Sequence, residues 1–315
     1  MVTGVVRERT LVRERGGRAV RRTPSSLAFL LILVGILAAG CGGGGGGSPE
    51  NSRITLGDIG WDESVAVANL TKVLLEEEVG YEEVELQTLD VALLFEGVGN
   101  GELDAFQDVW LPNHQRFLNE QGDNVVQVGE WYQGQTSFGI AVPSYMDIDS
   151  LEELNDSAVN EIFGIEPGAV IMQKIPDSVI PAYDLEQELV ESSTPGMLSE
   201  IENLYENQEE FAFVAWSPHW MNQRYDYKYL EDPLDAQEEL NEPALLSTIV
   251  NKDFPEEQPA AYAFMQALTL DEEHLNDLEA TINEVGDPLE GARQWVGENP
   301  DIVDPWVDAA RDARR

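Results

Sequence analysis

The chain has 315 residues, of which 60 are acidic and 18 are basic, and its formal net charge at pH 7 is −42. A surface of this sign repels nucleic acid and anionic lipid headgroups, so neither is an expected partner. The single cysteine excludes an internal disulfide, and the length suits one two-lobed protein or two small domains.

The first forty residues show the pattern of an export signal. Seven arginines lie within residues 1–26, and a mostly apolar run over residues 27–39 is shorter than the roughly 20 residues that a membrane-spanning helix needs. The segment Leu37–Cys41 resembles a bacterial lipoprotein processing site. We therefore expect residues 1–40 to be a lipoprotein signal peptide and Cys41 to carry a lipid. An uncleaved anchor helix is the alternative.

The lipidated cysteine and a glycine-rich linker are expected to occupy residues 41–51. Six consecutive glycines, 42–47, precede Ser48 and Pro49, a composition typical of a flexible spacer. Beyond this linker the acidic residues are dispersed along the chain and are expected to form solvated faces. Because salt screens the repulsion between such charges, the composition indicates a protein adapted to a saline medium.

From residue 53 onward, short apolar strands alternate with helical patterns. Val67, Leu70 and Leu74 recur at helical spacing, and Gly80 is the expected end of that helix. Further helices are expected after Val91, Ala169 and Thr194, and from about Pro255 to the end of the chain. The predicted strands lie around residues 54–59, 84–86, 103–109, 138–142, 162–165, 185–190 and 211–215.

This alternation predicts an α/β architecture with largely parallel sheets, in which ligands sit at the carboxyl ends of strands. Trp61, Trp110 and Trp216 each come at the end of a predicted strand, so the three indoles can converge on one pocket. An indole face attracts a quaternary ammonium group with about 0.5 to 2 kcal/mol. Three faces would supply a large part of the roughly 8 kcal/mol that micromolar capture needs. Taken singly, each tryptophan is more often a packing residue.

Five segments, taken together, are typical of one family: Trp61–Ser64, Trp110–Pro112, Gly164–Gly168, Trp216–Trp220 and Tyr229–Pro233. In this order they resemble the substrate-binding proteins of glycine betaine and choline ABC importers, over about residues 54–259. The resemblance implies an α/β fold, a two-lobed periplasmic-binding-protein clamshell of type II with the ligand cleft between the lobes. We expect residues 52–142 and 236–315 to form lobe I and residues 143–235 to form lobe II.

The resemblance also implies the roles of individual residues. Trp61, Trp110 and Trp216 would form a box around the trimethylammonium head of the ligand. Backbone amides of Gly164 and Ile165 would receive the ligand carboxylate. This second role agrees with their position between a strand and a helix start, where free N–H groups favour an anion.

Three more side chains complete the predicted site. His114, shortly after the second tryptophan, would help to hold the ligand carboxylate. Choline relatives place an acid two residues after the first tryptophan to meet the ligand hydroxyl, and Glu63 stands there; an acid favoured by the helix dipole is its alternative interpretation. Phe138 would form a fourth wall or belong to the strand core. Trp131 and Tyr145 are weaker candidates, and the segment His219–Trp220 is expected to support Trp216 from behind.

The predicted function is capture of glycine betaine or a related betaine by an extracytoplasmic, lipid-anchored binding protein, for uptake by an ABC permease and ATPase complex in osmoprotection. A choline- or carnitine-binding protein of the same transporter class is the alternative. A receptor's ligand-sensing lobe and a secreted enzyme are more remote interpretations. The sequence has three histidines and neither a Gly-x-Ser-x-Gly elbow nor zinc-ligand spacing, so no catalytic residue, cofactor or metal site is expected.

Overall fold

Two five-stranded β-sheets with flanking helices organise residues 53–314, the part of the chain that the computed structural model describes. The predicted signal peptide, Cys41 and the glycine-rich linker lie outside the described residues. Within residues 53–314, none of the helices combines the length and the apolar character that spanning a bilayer requires.

The first sheet is built from two distant parts of the sequence. Its strands are β1 Arg53–Asp58, β2 Glu83–Thr88, β3 Ala105–Leu111, β4 Val125–Glu130 and β10 Leu245–Asn251. The strand order is β2-β1-β3-β10-β4, so the late strand β10 lies between two early ones. β1 pairs in parallel with β2 and β3, whereas β10 pairs antiparallel with β3 and β4.

The second sheet uses the intervening part of the sequence. Its strands are β5 Ser137–Pro143, β6 Glu161–Phe163, β7 Glu188–Val190, β8 Ala212–Ser217 and β9 Tyr227–Tyr229, in the order β7-β6-β8-β5-β9. β6 pairs in parallel with β7 and β8, and β5 pairs antiparallel with β8 and β9. The expectation of largely parallel sheets is therefore wrong: both sheets are mixed, because β5 and β10 run against their neighbours.

Helices follow most strands, as the alternating pattern predicts. They are α1 Asp62–Val73, α2 Val91–Asn100, α3 Gln115–Gln121, α4 Val170–Lys174, α5 Ile180–Tyr183, α6 Thr194–Glu206, α7 Met221–Arg224, α8 Phe254–Glu257, α9 Pro259–Ala267, α10 Glu272–Val285, α11 Pro288–Glu298 and α12 Pro300–Ala313. α1 continues into a π-helical segment, Leu74–Val79, and ends at the predicted Gly80, which has a φ of 93°. The predicted helical C-terminal region is also present.

The predicted boundary between lobes at residues 142 and 143 falls at the end of β5. Because β5 pairs within the second sheet, sheet membership favours a crossing a few residues earlier, between Glu130 and Ser137. The division of the chain into two lobes at particular residues stays a prediction. Sheet membership, by contrast, assigns each strand to one part of the fold.

Candidate functional site

Four aromatic side chains from both sheets lie together, and we call them the aromatic cage: Trp61, Trp110, Phe138 and Trp216. Trp61 directly precedes α1 and Trp110 lies in β3, whereas Phe138 and Trp216 are paired across β5 and β8. Ring centroids are 6.4 Å apart for Trp61 and Trp216, 6.4 Å for Phe138 and Trp216, and 5.9 Å for Trp110 and Phe138. The three indoles are 4%, 2% and 1% exposed in chain order. The structure thus brings together all the predicted walls.

Each indole N–H of the cage donates a hydrogen bond to an oxygen of an acidic side chain. A buried indole N–H needs an acceptor, and such a bond fixes the ring while its face stays available to a ligand. The pairs are Trp61 Nε1 with Glu166 Oε2 at 3.1 Å, Trp110 Nε1 with Asp108 Oδ1 at 2.9 Å, and Trp216 Nε1 with Glu63 Oε2 at 3.1 Å. Two of these pairs, those of Trp61 and Trp216, connect residues positioned by different sheets.

His114 lies directly before α3 and is buried beside the cage. Its ring centroid is 6.1 Å from that of Trp61, and its Nδ1 accepts the Trp110 backbone N–H at 3.1 Å. Burial lowers the pKa of His114 to about 3, so the imidazole is neutral at physiological pH. Since Nδ1 is an acceptor, the proton resides on Nε2 and makes that atom a hydrogen-bond donor. This tautomer agrees with the predicted contact to a ligand carboxylate.

The two predicted backbone donors are not both free. Gly164 follows β6, and its N–H donates to the Val190 carbonyl at 2.9 Å, which extends the pairing with β7. The Ile165 N–H is directed to the Met172 sulfur at 3.3 Å, and a thioether is a weak acceptor. The expectation for Gly164 therefore needs correction in this structure, while the Ile165 amide can exchange its partner for a ligand oxygen at little cost.

Glu166 is a site residue that sequence reasoning missed. Its carboxylate accepts hydrogen bonds from the Thr194 N–H at 2.7 Å and the Thr194 hydroxyl at 2.9 Å, in addition to that from Trp61. Thr194 begins α6, where unpaired N–H groups favour an anion. Glu166 thus links the indole of Trp61 to the start of a helix of the second sheet. Its place between two glycines after a strand was the available signal.

Glu63 lies in the first turn of α1 and is fully buried. One carboxylate oxygen accepts the Trp216 indole N–H, and the other, Oε1, has no hydrogen-bond partner within residues 53–314. Burial, reinforced by the charges of Asp108 and Glu279, raises the pKa of Glu63 well above its usual range. Glu63 is thus an acid at a helix N-terminus that also contacts the cage, and its contact with a ligand hydroxyl stays a prediction.

Asp62 connects the start of α1 to the segment after β8. Its carboxylate contacts His219 Nε2 at 2.9 Å and accepts the Trp220 indole N–H at 2.8 Å. Burial opposes ionisation of Asp62, but the hydrogen bond and charge of His219 outweigh it, and the pKa is lowered. The His219 ring in turn meets Trp216 edge-on at 4.7 Å. The expectation that the segment His219–Trp220 supports Trp216 agrees with this geometry.

The weaker candidates lie elsewhere. Trp131 donates its indole N–H to the Gln107 carbonyl, and the Tyr145 hydroxyl donates to the Glu209 carbonyl. Within residues 53–314, neither ring contacts a ring of the cage. In the same part of the chain, no group of three or more histidine, cysteine, aspartate or glutamate side chains is arranged to hold a metal ion.

Comparison with known proteins agrees with this geometry. Residues 52–298 match a protein family described as the substrate binding domain of ABC-type glycine betaine transport systems. The glycine betaine/carnitine transport binding protein GbuC of Listeria monocytogenes is 30% identical over 163 residues, which cover 51% of this chain and 53% of that protein. The match thus spans about half the length of this curated relative.

Two solved structures share the fold. Lactococcal OpuAC, closed on glycine betaine, is 30% identical with a TM-score of 0.72, and the match covers 81% of this chain and 99% of that chain. An ABC-transporter choline binding protein in complex with choline has a TM-score of 0.72 at 24% identity, over 84% of this chain and 98% of that chain. The predicted two-lobed α/β clamshell fold is confirmed.

The family and its solved neighbours are substrate-binding proteins of transporters rather than enzymes. Such proteins of ABC importers act outside the cytoplasm. Since the matched residues make up well over half of the chain, the predicted family is confirmed. The chain belongs to the substrate-binding domains of ABC-type glycine betaine transport systems.

Proposed function

We propose that this protein captures glycine betaine, or a related betaine, outside the cell and delivers it to the permease and ATPase of an ABC importer, so that the cell accumulates an osmoprotectant. The observation that carries the proposal is the meeting of Trp61, Trp110, Phe138 and Trp216 from two sheets beside a neutral histidine donor. A methylated ammonium group donates no strong hydrogen bond, so aromatic faces are the surfaces that suit it.

The proposed binding mode uses both ends of a betaine. The trimethylammonium head lies against the indole faces of the cage, whose edges are held by carboxylates. The ligand carboxylate receives hydrogen bonds from His114 Nε2–H and from the Ile165 N–H, which gives up its weak sulfur partner. Because Trp61 and Trp216 are positioned by different sheets, a ligand between them contacts both parts of the fold and favours the closed state.

We further propose that Cys41 is lipidated after removal of residues 1–40 and that this lipid holds the protein at the outer face of the membrane. The sequence pattern alone supports this step, since these residues lie outside the described part of the chain. Replacement of Cys41 by alanine should release the protein from the membrane fraction and abolish labelling with radioactive palmitate. Retention of the variant in that fraction would speak for an uncleaved anchor instead.

Choline is the second candidate ligand. The unpartnered Oε1 of Glu63, next to Trp216, favours it, because choline replaces the betaine carboxylate by a hydroxyl that can donate to a carboxylate. Carnitine, which carries both a hydroxyl and a carboxylate, is the third.

Tryptophan fluorescence titration with glycine betaine, choline and carnitine in molar salt tests the proposal and ranks the ligands. Glycine betaine is expected to bind most tightly. If choline binds more tightly, the ligand assignment changes while the transporter class stands. If none of the three changes the fluorescence and equilibrium dialysis shows no binding, the proposed function is wrong.

A further inference from the structure

Three carboxyl groups lie behind the cage, and we call them the acid cluster: Glu63 in α1, Asp108 in β3 and Glu279 in α10. Their residues are 0%, 0% and 2% exposed, respectively. Glu63 and Asp108 each use one oxygen to hold an indole of the cage. Their other oxygens, Glu63 Oε1 and Asp108 Oδ2, are buried and have no hydrogen-bond partner within residues 53–314.

The surroundings of the acid cluster offer little positive charge. Within residues 53–314, no lysine or arginine forms an ion pair with any of its three members. His114 is buried and neutral, and His219 is hydrogen-bonded to Asp62. The other titratable groups that face the cluster are Asp58, Asp62 and Tyr132.

Buried carboxylates without counter-ions are costly, and such groups retain a proton instead of ionising. Burial raises the pKa of Asp108 to about 8, because its effect outweighs the hydrogen bond from Trp110, which lowers the pKa; the charge of Asp58 adds a smaller increase. Burial and the charge of Asp62 likewise raise the pKa of Glu279 well above its usual range. Burial raises the pKa of Glu63 in the same direction, so the protonated form of the cluster is favoured when no cation is near.

We propose that the acid cluster selects ligands by net charge: a quaternary ammonium group in the cage replaces protons held by the cluster, so that binding releases protons to the solvent, and a net cation such as choline releases more of them than a zwitterion such as glycine betaine. Glu63 and Asp108 are then positioning residues, since they act through Trp216 and Trp110. The inference rests on the proposed function, because it assumes that the cage binds a quaternary ammonium group.

The physical reason is the short distance between cage and cluster. Asp108 and Glu63 lie 2.9 and 3.1 Å from the indole nitrogens of Trp110 and Trp216, so a cation on either ring lies close to a buried carboxyl group and its field favours the ionised form. The carboxylate of glycine betaine partly cancels this field, whereas choline carries no negative charge. The proton leaves the carboxyl group as the cation arrives, and the buffer accepts it.

Isothermal titration calorimetry in buffers of different ionisation enthalpy measures the released protons directly. At pH 7.5 we expect the observed binding enthalpy to depend on the buffer, with a larger proton release for choline than for glycine betaine. The affinity for choline should rise by up to about tenfold per pH unit below pH 8, the slope for one linked proton. Asp108→Asn and Glu63→Gln should lower the release and flatten the pH profile. Glu273→Gln, an exposed acid on the same helix as Glu279, should change neither quantity.

A stability measurement separates charge selection from a merely structural role. Because the pKa of Asp108 is raised in the folded protein, its protonation contributes to the free energy of unfolding at low pH. This contribution is lost as the pH rises from the ordinary value of 3.8 toward about 8. Asp108→Asn should therefore unfold at a higher temperature than the wild type at pH 9, and the difference should shrink at pH 5. Weaker choline binding together with higher stability supports the inference.

Measurement of the binding enthalpy of the wild-type protein in different buffers can by itself overturn the inference. If quaternary ammonium ligands bind but the enthalpy is the same in every buffer between pH 6 and 9, the acid cluster does not exchange protons and the charge selection is wrong, while the proposed function stands. If no such ligand binds, the proposed function fails first and the inference fails with it.

Discussion

At the scale of residues, the indoles of the cage have two separate roles, one through the ring face and one through the N–H. The face is the surface that a methylated cation contacts, and the N–H fixes the ring to a carboxylate. Trp110→Ala and Trp216→Ala remove both features at once. We expect each substitution to lower the affinity for glycine betaine about hundredfold or more, which is about 2.7 kcal/mol.

The matched control for these variants is Trp306→Ala. Trp306 is buried in α12 against Phe264, at 6.4 Å between ring centroids, far along the chain from the cage strands. All three substitutions remove a buried indole and should destabilise the fold by about 3 to 5 kcal/mol. Calorimetric titration should therefore show intact affinity only for Trp306→Ala. Equal affinities in all three variants would place the pocket elsewhere.

Loss of the Asp62 carboxylate should destabilise the closed state while all four side chains of the cage remain in the protein. Asp62→Asn replaces a charge-assisted contact to His219 by a neutral one, worth about 1.5 kcal/mol, or about tenfold in affinity. Stopped-flow fluorescence should show the change as faster ligand release. Asp90→Asn, at an N-cap position whose side chain makes no capping bond, is the control and should leave the release rate unchanged.

The sign of the pH effect at Asp62 follows from its lowered pKa. The contribution of this contact is present above the ordinary value of 3.8 and is lost as the pH falls through the lower pKa of the folded protein. The variant and the wild type should therefore differ in release rate at pH 7 and converge only in strong acid. Identical rates at pH 7 would mean that the contact does not contribute to closure.

The residues that sequence reasoning finds and misses differ in a physical way. Trp61, Trp110 and Trp216 are predictable, because a large aromatic side chain at a strand end is rare and because the neighbouring sequence is enough to place it there. Asp108 is not, because in a chain with 60 acidic residues a buried carboxyl group has the same sequence signal as a solvated one. Glu166, which is partly buried, had only the weak signal of its place between two glycines after a strand.

At the scale of elements, helix ends illustrate how local backbone conformation controls stability. Gly80 ends the π-helical continuation of α1 with a φ of 93°, a region that residues with a Cβ rarely adopt. Gly80→Ala should lower the free energy of unfolding by about 1 to 2 kcal/mol. Gly297, within α11 and with open space where a Cβ would be, is the matched control. Gly297→Ala should raise the free energy of unfolding by about 0.5 to 1 kcal/mol, because alanine is the better helix former.

Urea unfolding of both variants gives these values. Two changes of the same sign would show that the Gly80 conformation is not the source of the cost. Both substitutions add one methyl group. The two positions differ in backbone conformation, and a Cβ at Gly80 would also lie 3.3 Å from Arg314 Nη1, at the flexible end of that side chain.

Element by element, the strand–helix order is predictable, whereas strand pairing is not. β10 pairs antiparallel with both β3 and β4, which lie more than a hundred residues earlier in the chain. No local sequence pattern encodes the register of that pairing. β4 is missed as well, since its residues are partly buried without regular alternation. The same limitation explains Gly164, whose N–H is occupied by the pairing of β6 with β7.

At the scale of the whole molecule, the net charge of −42 makes self-repulsion a property of the folded state. The ion pairs along the surface are mostly exposed, and such pairs contribute little each. Raising sodium chloride from 0.1 to 1 M shortens the screening length from about 10 to 3 Å. We expect the melting temperature to rise by about 5 °C over this range, measured by calorimetry. A melting temperature independent of salt would contradict the interpretation of a protein adapted to saline conditions.

The central claim is that the cage recognises positive charge and not merely the shape of three methyl groups. Calorimetric titration with glycine betaine and with 3,3-dimethylbutyrate, which has carbon in place of the charged nitrogen, tests this claim most directly. We predict that glycine betaine binds at least about tenfold more tightly, since each aromatic face contributes about 0.5 to 2 kcal/mol to a cation. Equal or tighter binding of 3,3-dimethylbutyrate, which keeps the carboxylate but lacks the positive charge, would contradict the account.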